Sequence, residues 1–226
     1  MTWNPSPPPF HGQLAVVGGQ CRKVGKTALV VDLISALREF EWTAVKITPH
    51  SDSECPVNGP GCGCAPHEHT FAIREDANPG TGDTGRFLAA GARRALWAQT
   101  KTGRFKDVLQ PLAAALERDR HVLIESNAIV EFWRPDALLM VLDPSNPDFK
   151  DSARNLLELA HVFVFRSPFT EAESAGSALA QVPEKPKFVQ PQGQPLPKGL
   201  QNLARQLLAA SDHPNTCLKS GNPAAF

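Results

Sequence analysis

The chain alternates short continuous apolar runs with stretches in which apolar residues recur every three to four positions. Leu14, Ala15, Val16 and Val17 make the first run, and residues 28–34 (ALVVDLI) follow as an amphipathic helix. Val45, Lys46 and Ile47 predict a second strand. Residues 50–78 show no period over most of their length and read as a long loop rich in Pro, Gly, Cys and His. From Thr84 the spacing of Phe87, Leu88, Gly91, Ala92, Ala95 and Leu96 predicts a helix, with Trp97 on it and Arg93 and Arg94 on its solvated face. Leu109, Leu112, Ala113 and Leu116 predict another over 105–117. Residues 121–127, an apolar run ending in polar residues, and 137–142 read as buried parallel strands. A helix over 151–160, strands at 162–165 and 187–189, and a helix over 199–210 complete the pattern.

Strands alternating with helices imply right-handed crossovers. The expected fold class is therefore α/β, a mostly parallel sheet with helices on both faces. Ligands in such a sheet sit at the carboxyl ends of the strands. The expected organisation is a lead-in over 1–12, one nucleotide-binding domain over 13–211 with an insertion near 50–78, and a polar tail over 212–226.

Residues 18–27 read GGQCRKVGKT between the first strand and the first helix. This is a phosphate-binding loop with one residue more than the usual G-x-x-x-x-G-K-[ST] spacing. Gln20 stands where the first glycine is expected, and Gly19 lies one position earlier. A turn feeding a helix N-terminus aims backbone N–H groups at a phosphate, with the helix dipole behind them. Gly19, Gln20, Cys21, Arg22, Lys23, Val24, Gly25, Lys26, Thr27 and Ala28 would form this cradle. Gly25 permits close backbone approach, Lys26 reaches the β- and γ-phosphate oxygens, and Thr27 offers a hydroxyl to Mg²⁺. The second Mg²⁺ ligand is expected at the end of a neighbouring buried strand. Glu125 stands there, where an ionised carboxylate is costly unless it binds a cation. Asp52, in the loop after the second strand, is a candidate to face the γ-phosphate.

The chain carries 23 Lys+Arg and 23 Asp+Glu among 226 residues, so no overall field points to nucleic acid or an anionic membrane. No run of about 18 apolar residues predicts a spanning helix. The proline-rich start lacks the features of a secretory signal, which sets the expectation of a cytoplasmic protein with reduced thiols. Cys55, Cys62, Cys64, His67 and His69 then stand out, lying within fifteen positions. Thiolate with imidazole suits zinc, and thiolates suit an iron–sulfur cluster. Cys21 is a candidate fourth thiol. His121 and His161 read as packing or surface residues.

The phosphate loop and the strand-end glutamate resemble the SIMIBI class of P-loop proteins. The loop spacing is similar to that of dethiobiotin synthetases. Val45-Lys46 followed by His50, the stretch DTGRFLAAGA over 83–92, and Glu125 resemble the molybdopterin-guanine dinucleotide biosynthesis B (MobB-type) family. The resemblance covers about residues 14–127. It implies binding of ATP or GTP with Mg²⁺, triphosphate hydrolysis, and a place in molybdenum-cofactor or other metallocofactor biosynthesis. It further implies a cofactor-biosynthesis protein as partner and a homodimer. Lys46, His50, Asp83 and Arg86 would line the second-substrate or switch region. An ATP-dependent ligase or kinase of the dethiobiotin-synthetase type, or a nucleotide-gated metal or cluster adaptor without catalysis, stays open as an alternative. No guanine-reading N/T-K-x-D motif is visible, so the base stays open too.

Overall fold

A computed structural model describes residues 10–50, 55–59, 62–63, 68–168 and 182–210. The elements are β1 (Gln13–Gly19), α1 (Lys26–Ala36), β2 (Thr43–His50), β3 (Phe71–Asp76), α2 (Gly82–Ala89), β4 (Arg94–Lys101), α3 (Phe105–Ala115), β5 (His121–Glu125), β6 (Ala137–Leu142), α4 (Asp151–Arg154), β7 (Val162–Phe165), β8 (Lys187–Val189) and α5 (Lys198–Ala209). The strands form one sheet in the order β3-β4-β2-β5-β1-β6-β7-β8. All neighbours are parallel except β3, which runs antiparallel on β4 at the edge. Val16, Val45, Leu96, Ile124 and Leu138 face one core with α3, while Val17, Ala44, Ala95, Leu123 and Leu139 face another with α1, α2 and α5. Both faces are covered, as continuous apolar strands require.

Three segments differ from the sequence expectation. Phe71–Asp76, inside the expected loop, is a strand. Its apolar alternation is only Phe71 and Ile73, because an edge strand meets the core on one face. The helix expected to run through Leu96 stops at Ala89, and 94–101 is strand. Gly91, at φ 106°, ends α2 in a left-handed turn. Gly91 N donates to Leu88 O (2.9 Å) and Ala92 N to Phe87 O (3.0 Å), the paired bonds of a Schellman cap. Beyond it, Ala95 and Leu96 point to opposite cores, as strand neighbours must. Trp97 is accordingly a strand residue. The helix expected over 151–160 is regular only to Arg154, although Leu156, Leu157 and Ala160 are buried as expected.

Arg93 and Arg94 are not a solvated helix face either. Both guanidinium groups reach Asp119 at 2.5 Å, and Thr43 Oγ1 donates to the same carboxylate at 2.7 Å. Asp119 has no side-chain exposure and ties the amino ends of β2 and β4 to the turn before β5. Asp119→Ala leaves the buried Thr43 hydroxyl unpaired, while the part-exposed arginines turn to water. The expected cost is about 1–3 kcal/mol, read as a lower urea midpoint at unchanged slope. Asp119→Asn, which still accepts from Thr43, should lose less. An unchanged midpoint in the alanine variant would remove this carboxylate from the account.

Candidate functional site

The carboxyl ends of β1, β2 and β5 meet below the phosphate loop. β1 lies directly between β5 and β6, and the chain leaves β1 toward β2 on one side while β5 crosses to β6 on the other. This is the position where a doubly wound sheet opens a crevice. A cleft of about 1080 Å³ lies there, lined by the loop, Lys46, His50, Asp83, Arg86, Glu125, Asn127, Asp143, Lys150 and Arg166. It holds more basic than acidic groups, which suits a polyanion.

The loop is built by its own backbone and by clamps from distant segments. Gly25, at φ 99°, caps α1, and a Cβ there would meet Arg166 Nε at 2.7 Å. At Gly19 a Cβ would meet Lys26 Cγ and Val24 Cγ1 at 2.8 Å. Lys23 also takes a positive φ, 61°, an uncommon backbone for a residue with a side chain. Gly19 N donates to Asn127 Oδ1 at 2.8 Å, and Asn127 Nδ2 returns a bond to Gly19 O at 3.0 Å. Asn127 therefore grips the loop's first turn. Gln20 is fully buried. Its Nε2 donates to Asn146 O (2.6 Å) and Asp148 O (3.1 Å), and its Oε1 accepts from Asp143 N (2.9 Å). The residue in place of the expected glycine turns its side chain into the segment after β6, away from the cleft.

Lys26 Nζ donates to Cys21 O at 2.8 Å, lying across its own loop. Burial pulls its pKa below the ordinary lysine value, and Glu125 opposes that pull. Cys21 is buried and accepts from Asn146 Nδ2 at 3.3 Å. Burial raises its thiol pKa, so it is a packed thiol. It lies outside the Cys/His cluster described below, which corrects its expected use as a fourth thiol.

Thr27, Glu125, Asp83 and Lys46 converge. Lys46 and Glu125 are register partners on β2 and β5, so their side chains rise from the same sheet face. Glu125 is 3% exposed. Its Oε2 accepts from Thr27 Oγ1 at 2.8 Å, and its Oε1 accepts from Lys46 Nζ. The same ammonium lies 3.1 Å from Asp83 Oδ2 and 3.3 Å from Thr27 Oγ1. One cationic atom thus sits among a hydroxyl and two carboxylates from α1, β5 and α2. Those are hard oxygen donors of the kind Mg²⁺ takes, and the Lys46 ammonium is the cation that lies among them. Arg86 stands 3.8 Å from Asp83 at the rim.

Arg166, just past β7, donates to Gly25 O at 2.6 Å and to Gln190 O at 3.2 Å, with Asp32 at 3.8 Å. Its side chain is 9% exposed. Burial works against its charge, and Asp32 partly offsets that. Its Nε has no hydrogen-bond partner among the described residues. Arg166 carries the signal that singles out Glu125, an ionic residue directly after a buried strand. His50 ends β2, lines the cleft, and meets Gln99 Nε2 at 2.5 Å through its Nε2.

Beyond the cleft, Cys55, Cys62 and His69 come together, their ligand atoms all within 4.8 Å of one another. Asp52, Cys64 and His67 lie outside the described residues, as does Cys217. His121 Nδ1 donates to Phe40 O (2.7 Å) and His161 Nδ1 accepts from Leu138 N (2.9 Å), both packing roles.

No family model matches the chain, and no curated protein matches it. Among solved structures it is similar to an LAO/AO transport system kinase, at TM-score 0.47 and 13% identity, over 89% of this chain and 62% of the kinase. HypB from Helicobacter pylori, in complex with nickel, is similar at TM-score 0.45 and 14% identity, over 90% of this chain and 91% of HypB. The signal recognition particle receptor FtsY from Elizabethkingia anophelis is similar at TM-score 0.38 and 11% identity, over 86% of this chain and 65% of FtsY. The fold is that of an α/β phosphate-loop protein, read from the sheet order and the loop themselves. No described helix is long and apolar enough to cross a membrane.

Proposed function

We propose that the protein binds a nucleoside triphosphate with Mg²⁺ in the phosphate-loop cleft and cleaves its terminal anhydride. The observation that carries this reading is the Lys46 ammonium lying among the oxygens of Thr27, Glu125 and Asp83 beside the loop. The loop's N–H groups and the amino end of α1 would hold the β- and γ-phosphates. Lys26 would leave Cys21 O to neutralise their developing charge. Thr27 and Glu125 would hold Mg²⁺, which would supply further charge neutralisation during phosphoryl transfer. Asn127 and Gln20 keep the cradle rigid, so little ordering remains to be done at binding. Lys46, displaced from the cation position, lies within reach of the phosphate side of the cleft, and His50 and Arg86 border the space for water or an acceptor.

The MobB-type resemblance supports molybdenum-cofactor biosynthesis as the setting. A second reading, a nucleotide-gated metal adaptor, draws its support from the Cys55, Cys62 and His69 cluster.

Phosphate release from ATP and from GTP, titrated with Mg²⁺, tests the proposal. Glu125→Gln should lower turnover by about 100-fold or more, because a charged metal ligand is lost and even an outer partner is worth about 10- to 100-fold, and should raise the Mg²⁺ concentration for half-maximal rate. A variant with the wild-type rate and Mg²⁺ dependence would contradict it.

A further inference from the structure

The cluster of Cys55, Cys62 and His69 is unused by the nucleotide chemistry, and its geometry is informative. His69 Nδ1 lies 3.4 Å from Cys55 Sγ and 3.9 Å from Cys62 Sγ. Around a tetrahedral zinc, with metal–sulfur near 2.3 Å and metal–nitrogen near 2.0–2.1 Å, the sulfur-to-nitrogen edge is about 3.6 Å. The two observed distances bracket that edge. Iron–sulfur clusters are held by larger sets of thiolates, whereas these three donors fit around one ion.

The surroundings are arranged for thiolates. Residues 55–59 fold into a tight turn, with Gly59 N donating to Cys55 O at 2.8 Å and Gly59 at φ 78°. This turn aims Asn58 N at Cys55 Sγ (3.3 Å) and Asn58 Nδ2 at Cys62 Sγ (3.2 Å). Both sulfurs thus accept from the same residue, an outer partner of the kind that supports charged metal ligands. His69 takes a left-handed backbone, φ 49°, which orients its ring at a conformational cost.

The turn is also wired to the cleft. Arg74, on β3, donates from one nitrogen to Pro56 O (3.2 Å) and Val57 O. Its other terminal nitrogen donates to Gln99 Oε1 at 3.4 Å. Gln99 Nε2 meets His50 Nε2 at 2.5 Å, and His50 lines the cleft.

We propose that Cys55, Cys62 and His69 bind one zinc-type divalent ion, and that Arg74, Gln99 and His50 couple this ion to the nucleotide cleft. Two thiolates and one imidazole satisfy three positions of a tetrahedral ion and leave one for water or another donor. The coupling rests on the proposed nucleotide site, while the metal site does not.

The test uses the full chain purified under reducing conditions, with Zn²⁺ competed against a chromogenic chelator and Co²⁺ as spectroscopic substitute. One tight ion per chain is expected, with thiolate-to-cobalt charge-transfer bands and tetrahedral d–d bands. Cys55→Ser and Cys62→Ser should each lose about 100-fold or more in affinity, more than an outer partner is worth. A wild-type chain without a tight ion, serine variants that keep it, or a Cys55–Cys62 disulfide that persists in reductant and Zn²⁺ would each overturn the metal site. Zn²⁺ should change triphosphate affinity about fivefold or more, and Arg74→Ala should abolish that change while keeping one ion per chain. Equal triphosphate affinity with and without Zn²⁺ overturns the coupling. A chain that takes up zinc but binds no triphosphate overturns the proposed function and leaves the metal site standing.

Discussion

Lys26→Ala is expected to weaken triphosphate binding by at least about 100-fold, with little change in folding stability. Hydrogen bonds to charged groups contribute about 1.5–3 kcal/mol each, and Lys26 is placed to make two, to β- and γ-phosphate oxygens. At about 1.4 kcal/mol per decade the loss exceeds two decades. Stability should change little because the ammonium is desolvated where it lies, as its lowered pKa indicates, and its one hydrogen bond among the described residues is to Cys21 O. Asn127 and Gln20 continue to hold the loop. Calorimetric titration reads the affinity, and thermal unfolding without ligand reads the control. Wild-type affinity in a folded Lys26→Ala protein would show that the lysine does not meet phosphate.

Lys46→Met is expected to destabilise the chain severely in chelator and much less in Mg²⁺. Methionine has nearly the length of lysine, so packing changes little and the charge is what disappears. Glu125, with 2% side-chain exposure, is left as a buried carboxylate without its ammonium. Removing one partner of such a pair costs about 3–5 kcal/mol. The same loss vacates the position among Thr27, Glu125 and Asp83 to which the account assigns Mg²⁺. Binding there stabilises the folded chain by mass action, so part of the lost stability should return as Mg²⁺ rises. Wild-type protein, whose own ammonium holds the position, should respond less when no nucleotide is present. Equal deficits in chelator and in Mg²⁺ would mean that these oxygens do not form a cation site.

The strands with continuous apolar runs were readable because a strand buried on both faces needs apolar residues throughout, as at 137–142 and 162–165. Glu125 was readable because an ionised group ending such a run needs a partner. β3 was not, since an edge strand shows the core only Phe71 and Ile73. β4 carries a helical pattern because Ala95 and Leu96 happen to continue the period of Phe87 and Leu88. Gly91 held the correction, as a residue suited to the left-handed cap that ends α2. The clamps on the loop are the least legible part. Asn127 reaches Gly19 across 108 positions and Arg166 reaches Gly25 across 141, and no local pattern encodes pairings of that length. The cation position is of the same kind. Lys46 and Glu125 meet because β2 and β5 are adjacent and in register, which only the sheet order reveals.

The central claim is that the loop and the Thr27–Glu125–Asp83 oxygens together form a Mg²⁺-dependent triphosphate site. Titration calorimetry with ATP and with GTP, each in Mg²⁺ and in chelator, tests it most directly. At least one triphosphate should bind in Mg²⁺, bind more weakly in chelator, and fail to bind Lys26→Ala. Absence of binding by either nucleotide, or binding that ignores both Mg²⁺ and Lys26, would contradict the account.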